Sequence, residues 1–149
     1  MVTVSDSVAA GGGEDRTGPR LVAFLEDHGF VVAAAAVVPD GVDSVAAALR
    51  STTAGFHGLV VTAGGTGFAP TDLTPEGTGA VLERSAPGLA EAMRAVNPLG
   101  RLSRGVAGTT GACVVVNVPG SPGGAVECLG AVIDVLPHAL DLLGGGQPH

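Results

Sequence analysis

The sequence contains no lysine, and its seven basic residues, all arginines, are outnumbered by fourteen Asp and Glu residues. The formal net charge is −7 at pH 7. An acidic chain without a basic run lacks the cationic surface that binding to nucleic-acid phosphates requires. The lysine-containing P-loop motif is excluded as well. The sequence therefore predicts no nucleic-acid partner, and any phosphate site has to be built without lysine.

Long apolar runs and cysteines are also scarce. The longest apolar run, Phe30–Val38, has nine residues, which is too short to span a bilayer. No cationic segment precedes the strand-like Val2–Val4, so we expect no secretory signal. Cys113 and Cys128 lie among apolar residues without the spacing of metal ligands, and we interpret them as buried, reduced thiols. These features predict a cytoplasmic chain with no membrane partner.

Apolar residues and glycine are abundant. Of the 149 residues, 46% are hydrophobic and 25 are glycines, so a sizeable core can form. The length suits one domain, which we place at residues 1–149 with an ordered core of about residues 3–143. The glycines and ten prolines separate short runs of distinct character, and no internal repeat is visible.

Those runs alternate between strand-like and helix-like composition. We predict strands at Val2–Val4, Phe30–Val38, Leu59–Thr62 and Ala112–Val118, and helices at Pro19–Asp27, Val42–Leu49, Pro75–Arg84, Pro87–Ala95 and Ala125–Leu143. Gly29 is expected to cap the first of these helices at its C-terminus, and Thr74 to cap the third at its N-terminus. A hairpin from Val106–Thr110 into Ala112–Val118 would add one antiparallel strand. The pattern predicts an α/β/α sandwich around a mostly parallel sheet.

In such a sheet, ligands bind at the carboxyl ends of the strands. Ser5 and Asp6 follow the first predicted strand, and Asp40 follows the second. Gly64, Gly65, Thr66 and Gly67 follow the third, and their backbone N–H groups could cradle an anion, although a tight strand-to-helix turn explains the same glycines. We expect these segments to meet at one edge of the sheet.

Two carboxylates near that edge suggest a metal. Asp72 lies close to the predicted anion cradle, and a carboxylate beside bound phosphates is how proteins hold Mg²⁺. Asp72 and Asp40 could instead act only as helix caps, and Asp6 could cap a turn. Capping alone explains each aspartate taken singly. It explains less well why three aspartates lie at the same edge of the sheet.

Two further segments could complete a binding site. Pro119, Gly120, Ser121 and Pro122 form a rigid loop with few side chains after the last predicted strand, either a plain turn or a wall for a flat ligand. Ser103 and Arg104 offer a hydroxyl beside a guanidinium, which suits a phosphate, although such a pair is usually a surface feature. No nucleophile-elbow motif occurs, and no dinucleotide-binding glycine fingerprint follows the first strand.

Taken in order, these segments resemble the MoaB/Mog family of molybdenum-cofactor biosynthesis, which includes molybdopterin adenylyltransferases and the N-terminal domain of gephyrin. The resemblance spans about residues 3–143 and is carried by Thr3–Ser7, Glu14–Pro19, Val37–Asp40, Gly64–Pro70, Asp72–Glu76, Leu102–Arg104 and Asn117–Pro122. It implies a three-layer α/β domain, a homotrimer, and Mg²⁺-dependent transfer of AMP from ATP to the terminal phosphate of molybdopterin. It also implies handover to a molybdenum insertase.

Carried over by position, the two important acids of the family correspond to Asp40 and Asp72. The resemblance implies that Asp40 serves the metal and nucleotide and that Asp72 is tied most closely to catalysis. Ser5 and Asp6 match the nucleotide side, whereas the pterin and nucleotide walls match Ser103, Asn117, Pro119, Gly120 and Pro122. Relatives often carry a basic residue where this chain has Thr71. The alternative function is therefore a pterin- or nucleotide-binding protein without catalytic activity, acting as a carrier or scaffold.

Overall fold

A six-stranded sheet forms the centre of the protein, whose computed structural model describes residues 1–147. The last two positions of the predicted domain lie outside the described residues. The strands are β1 (Val2–Val4), β2 (Ala36–Val38), β3 (His57–Ala63), β4 (Arg84–Ser85), β5 (Ala107–Thr110) and β6 (Ala112–Val118). They lie in the order β2-β1-β3-β6-β5-β4.

One strand runs against the others. β1, β2, β3 and β6 pair in parallel, whereas β5 is antiparallel to both β6 and β4. The predicted hairpin joins β5 to β6 at Gly111, whose φ of +52° lies in the left-handed region that favours glycine. The mostly parallel sheet with one antiparallel strand is confirmed.

Helices cover both faces of the sheet. They are α1 (Asp6–Ala9), α2 (Thr17–Asp27), α3 (Val42–Thr53), α4 (Thr74–Gly79), α5 (Pro87–Ala95), α6 (Pro122–Gly130) and α7 (Leu136–Leu143), with a 3₁₀ helix at Pro98–Leu102. Alternate residues of β6 enter opposite cores: Val114 and Val116 pack with α2, α5, α6 and α7, whereas Cys113 and Val115 pack with α3. The two separate cores confirm the three-layer sandwich.

Three predicted elements differ from the structure. The strand predicted at Phe30–Val38 is reduced to β2, because its partner β1 pairs with only the last three residues. The helix predicted at Ala125–Leu143 is interrupted between α6 and α7, and Pro137 stands in the first turn of α7, where a proline is tolerated. The helix predicted at Pro75–Arg84 ends early at Gly79, and Arg84 instead enters β4.

Of the two predicted helix caps, the structure confirms one and contradicts the other. Gly29 has a φ of +83°, and its N–H donates to Glu26 O at the end of α2, which confirms the C-terminal cap. Thr74 is instead the first residue of α4, and its hydroxyl makes no capping bond. The N-terminal cap predicted at Thr74 is wrong, because Leu73 occupies the N-cap position of α4 and the Thr74 hydroxyl lies beside Gly65 without a hydrogen-bond partner.

The chain reverses its direction across the sheet next to β1. β2 lies on one side of β1 and β3 lies on the other. This switch point opens a crevice at the carboxyl ends of β1 and β3, where an open α/β sheet binds ligands.

Candidate functional site

Two cavities open at the carboxyl edge of the sheet. The larger, of about 610 Å³, lies between the glycine-rich loop after β3, the 3₁₀ helix and the start of α6, and we call it the α6 cavity. The smaller, of about 430 Å³, lies over the ends of β1 and β3, and we call it the β1 cavity. Gly65, Asp72 and Gly120 line both cavities and so form their junction.

Most of the residues predicted at the site line these cavities. The α6 cavity is lined by Thr66, Gly67, Ser103, Pro119 and Ser121, besides the three junction residues. The β1 cavity is lined by Ser5, Asp40, Gly64 and Pro122, again besides the junction. Asp6, Arg104 and Asn117 line neither cavity. The structure therefore brings twelve of the fifteen predicted residues together, while their roles in binding and catalysis stay predictions.

The turn after β3 requires glycine for reasons of space as well as conformation. Gly64 and Gly65 have φ values of +106° and +62°. A Cβ at Gly64 would lie 2.3 Å from Val4 O, and one at Gly65 would lie 2.3 Å from Thr74 Oγ1 and 2.9 Å from Asp40 Oδ1. The absence of side chains thus lets β1, β3 and the start of α4 converge at the junction.

Asp72 is held at the junction by its own loop. Its Oδ2 accepts a hydrogen bond of 2.9 Å from the N–H of Ala69. The carboxylate is also close to Gly67, where a Cβ would lie 2.8 Å from Oδ2. Because Asp72 faces both cavities, it can contact groups bound in either one.

Arg104 holds the loop that carries Asp72 through hydrogen bonds to its backbone. Its Nε donates to Gly67 O at 2.7 Å, and its Nη atoms donate to Asp72 O and to the carboxylate of Glu76. The hydrogen bond from Arg104 lowers the pKa of Glu76, which favours the charged pair. The guanidinium predicted to bind phosphate is thus engaged by the protein and positions the loop that carries Asp72.

Asp6 and Asp40 join the ends of β1 and β2. The N–H of Asp6 donates to Asp40 Oδ2, and the N–H of Asp40 donates to Asp6 Oδ1, each at 3.0 Å. Partial burial raises the pKa of Asp40, and the neighbouring carboxylates of Asp6 and Asp72 raise it further. A cation bound beside Asp40 would relieve the repulsion among these carboxylates. Asp6 itself orients Asp40 through the two backbone hydrogen bonds.

Asn117 is a structural residue by its contacts. Its side chain is buried, accepts from the N–H of Val106, and donates to the hydroxyls of Thr62 and Thr78 at 2.7 and 2.9 Å. Its amide donors and its carbonyl all have protein partners. Asn117 therefore joins β6 to β3, α4 and the approach to β5 instead of forming the cavity wall that the sequence predicted.

The donor set at the junction suits Mg²⁺ bound together with phosphate. Asp40 and Asp72 offer the one or two carboxylates that such a site uses. No group of three or more His, Cys, Asp or Glu side chains able to hold a metal occurs among residues 1–147. The buried hydroxyl of Thr74, beside the same Gly65 that Asp40 approaches, has no hydrogen-bond partner there. Asp40 and Asp72 would thus hold Mg²⁺ only when phosphate oxygens complete its ligands.

The unpaired hydroxyl of Thr74 is expected to lower the stability of the ligand-free protein. We expect Thr74→Val to raise the free energy of unfolding of the ligand-free protein by about 1 kcal/mol, because it removes a buried polar group without a partner. The matched control is Thr78→Val in the same helix, which removes the acceptor of Asn117 Nδ2 and should lower stability by about 1–3 kcal/mol. Urea unfolding of both variants measures the effects. Destabilisation by both would show that the Thr74 hydroxyl has a partner.

Sequence reasoning missed a second support of the site. Asp15 accepts hydrogen bonds from the N–H groups of Thr17 and Gly18 at the start of α2 and from the hydroxyl of Thr3. Thr17 Oγ1 in turn donates to Gly120 O at 2.5 Å, which ties α2 to the junction. An Asp two and three residues before two helical N–H groups is the pattern of a helix cap, and that signal could have found Asp15.

Glu127 and Arg16 were also missed as lining residues. Glu127 extends from α6 into the α6 cavity, and Arg16 is the one basic side chain among the residues that line the β1 cavity. Cys113 and Cys128 are buried free thiols, as predicted, and Cys128 also lines the α6 cavity. A third cavity, of about 580 Å³, lies near the start of β3, beside Phe56 and His57, away from the aspartates.

Comparison with known proteins identifies the family. The family model described as "Probable molybdopterin binding domain" matches residues 1–138. The chain belongs to this family. Among solved structures, MoaB, a molybdopterin biosynthesis enzyme from Thermus thermophilus, is 46% identical with a TM-score of 0.90, and covers 99% of this chain and 95% of its own. The Mog protein of Mycobacterium ulcerans is 42% identical with a TM-score of 0.88, over 95% of each chain. The MoaB/Mog resemblance is confirmed.

Curated members of the family differ in length. A molybdopterin adenylyltransferase from Haemophilus influenzae is 34% identical over 97% of this chain and 83% of its own. This chain spans only between 22% and 47% of the length of three other relatives, which are longer proteins. The named members of this family are proteins of molybdenum-cofactor biosynthesis. Among the described residues of this chain, none of the helices is long and apolar enough to cross a membrane.

Proposed function

We propose that this chain is a molybdopterin adenylyltransferase that uses ATP and Mg²⁺. The observation that carries the proposal is the junction of Gly65, Asp72 and Gly120 between two cavities. A transfer between two substrates requires that their reacting groups meet while their other parts lie apart. The α6 cavity would hold the pterin, and the β1 cavity would hold the nucleotide.

The reaction needs little from the protein beyond alignment and control of charge. An oxygen of the terminal phosphate of molybdopterin attacks the α-phosphorus of ATP, a new P–O bond forms, and the bond to the β-phosphate oxygen breaks to release diphosphate. Because the nucleophile is already an anion, no base has to create it. Because Gly64 and Gly65 carry no side chains, both anions could approach the junction closely, and Arg104 keeps the loop of Asp72 in place there.

The charges of the β1 cavity support a metal-bound nucleotide. Its lining contains the carboxylates of Glu14, Asp15, Asp40 and Asp72, and Arg16 is the one basic side chain that residues 1–147 contribute to it. A bare triphosphate would be repelled there. Bound Mg²⁺ would supply charge neutralisation between the phosphates, and Asp40 and Asp72 are the residues that would hold it.

A pterin-binding protein without catalysis is the second candidate. The sequence feature that favours it is Thr71, which carries no charge beside Asp72. Thr71 is exposed and lines neither cavity, so its side chain is not one of those facing the proposed reaction site. Both Asp40 and Asp72 are present at the cavities, which favours the enzyme.

Incubation with molybdopterin, ATP and Mg²⁺ tests the proposal. We expect adenylylated molybdopterin and diphosphate to form in equal amounts, and neither to form when Mg²⁺ is removed by a chelator. Mass spectrometry of the pterin and an enzymatic diphosphate assay measure the two products. Tight binding of both substrates without product would contradict the proposal and establish the carrier or scaffold instead.

The proposal extends to the oligomeric state, the location and the protein partner of the chain. We propose a homotrimer in the cytoplasm that passes its product to a molybdenum insertase. Three large apolar side chains beside the α6 cavity, Phe68, Leu99 and Leu102, are 70%, 72% and 58% exposed. Apolar side chains grouped at a surface favour contact with a protein partner.

A further inference from the structure

The far wall of the α6 cavity carries a pair of polar side chains that the transfer chemistry does not use. Glu127 from α6 and Asn97 from the start of the 3₁₀ helix both line the cavity. The Nδ2 of Asn97 donates to Glu127 Oε2 at 3.5 Å. The Oδ1 of Asn97 accepts from the N–H of Leu99 at 2.9 Å, which fixes the orientation of the amide. The pair therefore presents two carboxylate acceptors beside one N–H donor.

That pattern complements one edge of a pterin ring. The 2-amino-4-oxopyrimidine edge offers an amino N–H, a ring N–H and then a carbonyl oxygen, in that order. A carboxylate can accept both N–H groups at once, and a neighbouring amide N–H can donate to the carbonyl. We infer that Glu127 and Asn97 recognise the pyrimidine edge of the pterin and set the specificity of the α6 cavity for it. This inference rests on the proposed function.

The position of the pair fits the rest of the substrate. Asp72 and Glu127 are the two acidic side chains of the α6 cavity, with Asp72 at its junction with the β1 cavity. A pterin held at Glu127 would direct its phosphate-bearing tail away from that carboxylate and toward the junction. Guanine presents the same hydrogen-bonding edge, so the shared chemistry is the 2-amino-4-oxopyrimidine group, and the test has to separate the two ring systems.

The test compares pterin with lumazine, which carries a 2-oxo group where pterin has the 2-amino group. The wild-type carboxylate should bind pterin about tenfold or more tightly than lumazine, because lumazine places an acceptor against an acceptor. In Glu127→Gln, the amide N–H can donate to that oxo group while its carbonyl still accepts from the ring N–H. We therefore expect the preference to fall at least about tenfold or to reverse. Titration followed by the fluorescence of each ring gives the dissociation constants.

Two further variants separate recognition from general damage. Asn97→Ser keeps an acceptor for the Leu99 N–H and adds no charge beside Glu127, but it removes the amide donor to the 4-oxo group, which both rings carry. It should weaken pterin and lumazine alike and leave their ratio nearly unchanged. Glu91→Gln changes an exposed acid of α5 outside both cavities and should alter neither affinity. Thermal unfolding of each variant confirms that it is folded.

The outcomes distinguish this inference from the proposed function. An unchanged pterin-to-lumazine ratio in folded Glu127→Gln would overturn the inference, even where the wild type adenylylates molybdopterin. Tighter binding of guanosine than of pterin to the wild type would overturn the pterin as occupant. A shifted ratio in Glu127→Gln, together with a wild type that forms no adenylylated product, would support the recognition pair and contradict the transferase.

Discussion

Asp72→Asn is expected to lower the turnover of adenylyl transfer by about 10²–10³-fold while leaving the fold intact. The carboxylate of Asp72 is shared by the two cavities, so its charge is available where the two phosphate groups meet. Asparagine keeps an oxygen that can accept from the Ala69 N–H, so the loop should retain its shape. Mg²⁺ should also strengthen ATP binding less in the variant than in the wild type, because one proposed metal ligand has lost its charge.

The matched control for this prediction is Asp43→Asn. Asp43 is an exposed acid in the first turn of α3 and lines neither cavity. Its loss should leave turnover and the effect of Mg²⁺ unchanged. Steady-state assays and calorimetric ATP titrations with and without Mg²⁺ measure both quantities. Wild-type turnover in Asp72→Asn would exclude the catalytic role of Asp72.

Gly65→Ala is expected to remove activity and to lower the free energy of unfolding by roughly 3 kcal/mol. One part of the loss comes from the φ of +62°, which costs a residue with a side chain about 1–2 kcal/mol. The rest comes from collision, since the new Cβ would lie 2.3 Å from Thr74 Oγ1 and 2.9 Å from Asp40 Oδ1. Relief of this contact has to move Thr74 or Asp40, and either movement distorts the junction.

A second glycine, Gly55, separates the cost of backbone strain from the cost of collision. Gly55 has nearly the same φ, +67°, but a Cβ there would meet nothing within 4 Å. Gly55→Ala should therefore lower stability by only about 1–2 kcal/mol and keep full activity. Chemical denaturation of both variants, with activity assays, measures the difference. Equal destabilisation by the two substitutions, with activity retained in both, would contradict the close packing at Gly65.

The fold was largely readable from local patterns. The apolar runs of β3 and β6, the hairpin at Gly111 and the helix stop at Gly29 each depend on neighbouring residues, and the structure confirms them. The extent of β2 was not readable, because it depends on how much of β1 lies beside it. The end of the helix predicted at Pro75–Arg84 depended likewise on the pairing of Arg84 with Thr109 in β5.

The candidate site divides in the same way. The glycine turn and Asp72 are close in sequence, so their grouping could be predicted. The role of Arg104 could not, since its partners Gly67 and Asp72 lie more than thirty residues away along the chain. Asn117 carried a signal that was not used: it shares the parity of Cys113 and Val115 along β6, which face the α3 core.

Isotopic labelling of ATP tests the central claim most directly. With molybdopterin and Mg²⁺ present, a label on the α-phosphate of ATP should appear in the pterin product, and a label on the γ-phosphate should appear only in diphosphate. This result requires attack at the α-phosphorus, which is the step that distinguishes the proposed adenylyl transfer from transfer of a terminal phosphate. Label from the γ-phosphate in the pterin, or no transfer of either label by protein that binds both substrates, would contradict the adenylyltransferase.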